Sequence, residues 1–130
     1  MKFNFGRLPD FSDPRDISEF LAYLERSFGR IHIDDQIIIG GGTPILKHLS
    51  ATATWNPGNL VAGAQTSTTV ALTGAALGDE ATCSFSLDLQ VLQLTAYVSA
   101  ANVVTALLVN NTAGAIDLAS GTLRVSVWQH

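Results

Sequence analysis

The sequence predicts a mainly β protein: a β-sandwich or jelly-roll-like domain, preceded by an extended arm and one amphipathic α-helix. Three observations predict it. Charge is segregated: 13 of the 18 Asp, Glu, Lys and Arg residues lie in residues 1–48, leaving only Asp79, Glu80, Asp88, Asp117 and Arg124 beyond them. From residue 49 onward, apolar residues alternate with Ser and Thr at the period of a half-buried strand. Only one stretch, early in the chain, repeats at helical spacing. The expected organisation is an arm and anchor helix over 1–30, short strands and a Gly-rich hinge over 31–43, and the β-domain over 44–130.

The arm comes first. Phe3, Phe5, Leu8 and Phe11 are spread through a segment interrupted by Gly6 and Pro9. Such a segment is suited to laying aromatic side chains on a surface. The helix follows, with Asp13 as N-cap and Pro14 at the first helical position, where a missing N–H costs nothing. Ile17, Phe20, Leu21, Leu24 and Phe28 form one stripe, and Gly29 supplies the stop. A helix of this length is marginal alone in water, so its apolar face must dock.

Residues 31–39 are β-branched, and Ile31, Ile33, Ile37, Ile38 and Ile39 place apolar groups on both faces of a strand. Strands of that kind are buried on both sides; an intersubunit seam is the expected setting. Gly40-Gly41-Gly42 reads as the hinge. Leu49, Ala51, Ala53 and Trp55 then share one face, and Asn56-Pro57-Gly58-Asn59 signals a turn. A Thr-rich strand covers 65–73. Ala81, Cys83, Phe85 and Leu87 alternate with Thr82, Ser84 and Ser86. Leu92, Leu94, Ala96 and Val98 share a face, and an Ala100-Ala101-Asn102 turn precedes a strand over 103–109. Asn110 to Gly114 form a loop, and Leu123, Val125 and Val127 define the last strand. About six strands at this spacing fit a sandwich or jelly roll.

Composition excludes several function classes. The 130 residues are 47% hydrophobic and 14% charged, with a net charge of −4; ordinary soluble domains carry about 25% charged residues. Such a chain is expected to hide surface against partners. No basic stripe is present, so nucleic acid is not an expected partner. No run approaches the about 18 apolar residues of a membrane span, and Met1-Lys2-Phe3-Asn4 leads into no secretory signal. Cys83, the only cysteine, reads as a small core residue rather than a nucleophile.

His32 with Asp34 and Asp35 reads as a solvated turn, not a metal or acid–base cluster. Gly40-Gly41-Gly42-Thr43 lacks the ending of a phosphate-binding loop. Asn110-Asn111-Thr112 matches a glycosylation sequon, which has no meaning without a signal peptide. No catalytic, cofactor or metal residue is expected, and the protein reads as non-enzymatic. Trp55, Tyr97 and Trp128 are read as core or interface packing; a sugar-stacking platform is the rival use.

Two segments carry a resemblance. Asp10-Phe11-Ser12-Asp13-Pro14-Arg15-Asp16-Ile17-Ser18-Glu19-Phe20-Leu21 resembles the N-terminal helix of small structural proteins of tailed bacteriophages. The stretch Gly41-Gly42-Thr43-Pro44-Ile45-Leu46-Lys47-His48-Leu49-Ser50-Ala51-Thr52-Ala53-Thr54 is similar to a small β-domain at the C-termini of many phage and prophage virion proteins. That likeness continues through Val70 to Asp79, Tyr97 to Asn102, Thr112 to Asp117 and Ala119 to Thr122.

The resemblance implies a virion component, often trimeric, and brings no catalytic residues. The short linker departs from long fibres, which favours a compact knob. The expected function is a homotrimeric capsid decoration or cement protein, or a short head fibre, made in the host cytoplasm and carried on the virion surface. Phe3, Phe5, Phe11, Ile17, Phe20, Leu21, Leu24 and Phe28 would anchor it to the major capsid protein or another virion protein. The isoleucines of 31–39 would form the oligomer seam. The rival expectation is a tail-fibre tip or receptor-binding module for a cell-surface glycan.

Overall fold

The computed structural model describes Ser12, Pro14–Ser27 and residues 35–130. The chain divides into two compact units, Met1–Asp34 and Asp35–His130. In the first, Pro14–Ser27 forms α1, with Asp16 in its first turn and Arg26 in its last, each opposite in sign to the helix-end charge. The expected N-cap Asp13 and stop Gly29 lie outside the described residues.

The second unit is entirely antiparallel β. Its strands are β1 (Lys47–Trp55), β2 (Gly58–Leu60), β3 (Gln65–Ala71), β4 (Glu80–Phe85), β5 (Gln93–Ala100), β6 (Val103–Val109), β7 (Ile116–Leu118) and β8 (Gly121–Gln129). They form three sheets, ordered β1-β8-β4, β2-β7 and β3-β6-β5. Eight strands replace the expected six because β2 and β7, three residues each, are too short to show periodicity.

The connecting principle is one long two-stranded ribbon. β1, β2 and β3 run along it in order, opposite β8, β7 and β6. Register is unbroken from Lys47↔Gln129 through Trp55↔Gly121 to Leu60↔Ile116. Asn56-Pro57-Gly58-Asn59 is therefore not a chain reversal, as its residues suggested. Pro57 cannot donate to the ladder and Gly58 takes φ +72°. The strand bends there and continues as β2 against β7 in the same register. β4 and β5, adjacent in sequence, part company: β4 joins β8 and β5 joins β6.

Alternation decides which side chains are buried. Val104, Ala106 and Leu108 of β6 and Leu123, Val125 and Val127 of β8 have no solvent exposure. They belong to one core cluster, which Leu49, Ala51, Ala53, Ala81, Cys83 and Phe85 flank from β1 and β4. Burying each Val or Leu is worth about 1.5–3 kcal/mol. Leu87 departs from the expected pattern: β4 ends at Phe85, and Leu87 is exposed in the following loop.

Candidate interaction site

Of the residues expected to anchor the chain, those that can be placed lie on α1. Ile17, Phe20 and Leu24 are half-buried, whereas Leu21 is 52% exposed. Phe3, Phe5, Phe11 and Phe28 lie outside the described residues, as do Ile31 and Ile33, which were expected in the oligomer seam.

Ile37, Ile38 and Ile39 lie on a small hairpin. Ile37 N–H donates to the Ile45 carbonyl (3.1 Å) and Ile45 N–H to the Ile37 carbonyl (2.8 Å). Gly40 and Gly41, at φ +58° and +76°, turn the chain between them, conformations for which glycine carries no Cβ penalty. These glycines thus close a hairpin inside the second unit. Leu46 N–H donates to the Gln129 carbonyl (2.8 Å), which carries the β1–β8 ladder one residue outward. The three isoleucines are exposed, Ile39 by 73%, and so is Leu46, which follows the bridge partner Ile45. Among the described residues the expected short strands of 31–43 reduce to this one bridge, because the glycine turn leaves room for a single pair; adjacent exposed apolar residues are a recognised contact surface.

The three aromatics considered for sugar stacking do not come together. Trp55 is buried on the inner face, edge-on to Phe85 at 6.1 Å. Trp128 projects from the outer face of β8, its ring 4.2 Å from the cross-strand His48. Tyr97 is exposed on β5, in a different sheet. Strand parity separates them: Trp55 pairs with Gly121 and so shares the face of Leu123, whereas Trp128 has the opposite parity.

The titratable groups have structural surroundings. Cys83 is half-buried against the core, and burial pushes its thiol pKa up, which disfavours the reactive thiolate. Asp79 accepts from Gln129 Nε2 (2.7 Å) and from the Ala76 N–H (2.8 Å), and these bonds hold its carboxyl below the usual range. Gln129 Nε2 also donates to the Gly74 carbonyl (2.9 Å), so this network ties the loop after β3 to the end of β8. His130 lies 3.5 Å from the exposed Glu80. Among the described residues no three His, Cys, Asp or Glu side chains gather into a metal-sized group, and no described helix is long and apolar enough to cross a membrane.

Two asparagines matter in ways the sequence did not reveal. Asn110 is fully buried. Its Nδ2 donates to the carbonyls of Leu60 (2.9 Å), Val61 (3.3 Å) and Gly114 (2.8 Å). Its Oδ1 accepts from the Thr112 N–H (2.9 Å) and hydroxyl (2.7 Å). The sequon-like tripeptide is thus an internal clamp, with its amide already engaged. Asn102, at φ +63° in the β5–β6 turn, accepts at Oδ1 from the Gly74 N–H (2.7 Å). Its backbone bonds Leu72 and Ala75, locking the turn to the loop after β3.

No protein-family model, curated protein or solved structure matches the chain.

Proposed function

We propose that this chain is a non-enzymatic structural protein of a bacteriophage virion, a homotrimeric capsid decoration or cement protein, or a short head fibre. The observation that carries the reading is the exposed Ile37-Ile38-Ile39 hairpin on a charge-poor β unit. Three consecutive isoleucines that the rest of the second unit leaves exposed are a surface that a contact would cover. The second support is α1, whose Leu21 projects beside a half-buried apolar stripe. A helix face of that kind would bury apolar area worth about 25 cal/mol per Å² on docking. Three copies on one particle would reinforce each other through effective concentration. The bent β1–β3/β6–β8 ribbon, with its single core lined by two three-stranded sheets, supports a jelly-roll-like sandwich as the projecting knob.

The test has two readouts. Light scattering after size-exclusion chromatography is expected to give a mass near three times 13.8 kDa. Leu21→Asp is expected to abolish binding to phage particles that lack the protein, with the β unit still folded. A Leu21→Asp variant that binds particles like the parent removes the helix from the mechanism. Failure of the parent to bind any such particle overturns the virion role.

A further inference from the structure

The loop between β3 and β4 is folded into a short strap. Gly74 and Gly78 both take φ +96°, a conformation that glycine adopts without a Cβ penalty. Between them Ala75 is buried in the core, whereas Leu77 stands at the tip with 71% of its surface in water. The strap lies close over β1: a Cβ on Gly74 would fall 3.3 Å from Leu49 Cδ1. Leu49 in turn packs against the core.

Side-chain bonds hold the strap from two sides. From the β5–β6 turn, Asn102 Oδ1 accepts from the Gly74 N–H (2.7 Å), and the Asn102 N–H donates to the Ala75 carbonyl (2.8 Å). From the end of β8, Gln129 Nε2 donates to the Gly74 carbonyl (2.9 Å) and to Asp79 Oδ2 (2.7 Å). The same Asp79 oxygen accepts from the Ala76 N–H (2.8 Å). A primary amide has two N–H donors, so Gln129 commits both to this loop. One carboxylate oxygen thus joins the far half of the strap to β8.

An ionised acceptor makes hydrogen bonds roughly twice as strong as a neutral one. Both donors to Asp79 are neutral, so the charge assistance comes from the carboxylate alone. The strap itself, residues 74–78, is uncharged, as is Asn102. The charged and titratable neighbours are Glu80, next in the chain on β4; His130, 3.5 Å from Glu80; and Lys47 on β1, the cross-strand partner of Gln129. His48 on β1 is engaged with the ring of Trp128.

We infer that residues 74–78 form an acid-released strap, shut while Asp79 is ionised and loosened when it is protonated. The bonds from Gln129 and then Ala76 hold the Asp79 carboxyl below its ordinary range. The closing contribution is therefore complete above the ordinary carboxyl value and is lost as pH falls through the lowered one. Release has a defined consequence. Rotation at Gly74 and Gly78 lifts Ala75 from the core beside the already exposed Leu77, so acid turns a hydrogen-bonded cap into apolar surface. The inference stands on this loop alone and does not rest on the virion role.

Amide NMR on the full chain, titrated from neutral pH down through the carboxyl range, tests it, with circular dichroism as the fold control. The Ala76 amide and the Gln129 side-chain amide are expected to shift together, with one midpoint below that of a free aspartate. Below that midpoint, hydrogen exchange at Gly74 and Asn102 is expected to rise at least about threefold over its intrinsic pH dependence, while β6 and β8 keep their protection. Asp79→Asn is expected to abolish the shared shift and to show the faster strap exchange already at neutral pH. Glu80→Gln is expected to keep the shared shift; its loss there would assign the titration to the Glu80–His130 pair and overturn the inference. So would a parent whose two signals do not shift together, or shift with no rise in strap exchange. Should acid unfold the whole domain first, Asp79→Asn at neutral pH decides alone, and strap exchange equal to the parent's overturns the inference.

Discussion

Asn110 holds the place where the ribbon changes register. Leu60 pairs with Ile116, but Gln65 pairs with Val109, so the 110–115 side carries two residues more than the 61–64 side. Extra backbone at that point leaves carbonyls without ladder partners, and a buried carbonyl without a donor costs about 1–3 kcal/mol. Asn110 supplies the donors from its amide and receives Thr112 in return. Asn110→Ala removes them all and is expected to lower unfolding stability by roughly 2–4 kcal/mol, measured by urea denaturation. A loss under about 0.5 kcal/mol, the usual scale of a surface substitution, would show that water replaces the side chain. In the sequence Asn110 belongs to a polar run that looks like any loop. Its burial depends on Leu60 and Val61, about fifty positions away, and no local signal carries that.

At the scale of elements, the corner of the ribbon is built from Trp55, Phe85 and Gly121. Gly121 opens β8 opposite Trp55, and a Cβ placed there would fall 2.7 Å from Phe85 Cζ and 2.9 Å from Ser86 Oγ. The close approach lets the Ser86 N–H reach the Thr122 carbonyl (3.0 Å) and the Thr122 N–H reach Ser86 Oγ (2.8 Å), which extends the β4–β8 ladder. Gly121→Ala forces the Phe85 ring against Trp55 and is expected to cost about 1–3 kcal/mol. Thermal melting should show a fall of several degrees, with a change in Trp55 fluorescence. An unchanged melt would mean the ring swings aside freely. The strands themselves were legible: Leu123, Val125 and Val127 alternate cleanly and are all fully buried. Strand length was less so, since Leu87 continues the apolar alternation yet falls beyond the last β4 residue.

For the whole molecule, the fully buried side chains among the described residues all belong to Asp35–His130, between Val104 and Val127. α1 contributes none of them. A chain beginning at Asp35 is therefore expected to unfold in one cooperative transition within a few degrees of the full-length protein, as small single domains do. A collapse to a broad, low-temperature melt would mean that the N-terminal unit completes the fold. The candidate contact residues were only partly legible. Ile37, Ile38 and Ile39 stand out in any sequence, but Leu87, which continues the apolar alternation of β4, is left exposed in the loop after it. Which face of a strand meets the core follows from sheet pairing, and periodicity cannot supply it.

Local chemistry determined the helix over Pro14–Ser27, the alternation of the long strands and the inward set of Leu and Val, because these depend on neighbours within a few positions. Only the tertiary structure decided that β4 leaves β5 to join β8, that Asn110 is buried and that Trp55 and Trp128 face opposite ways. Those outcomes depend on pairings between residues far apart in the chain, such as Glu80↔Trp128 and Lys47↔Gln129. The free energy that selects them appears only when the two central strands close over one core.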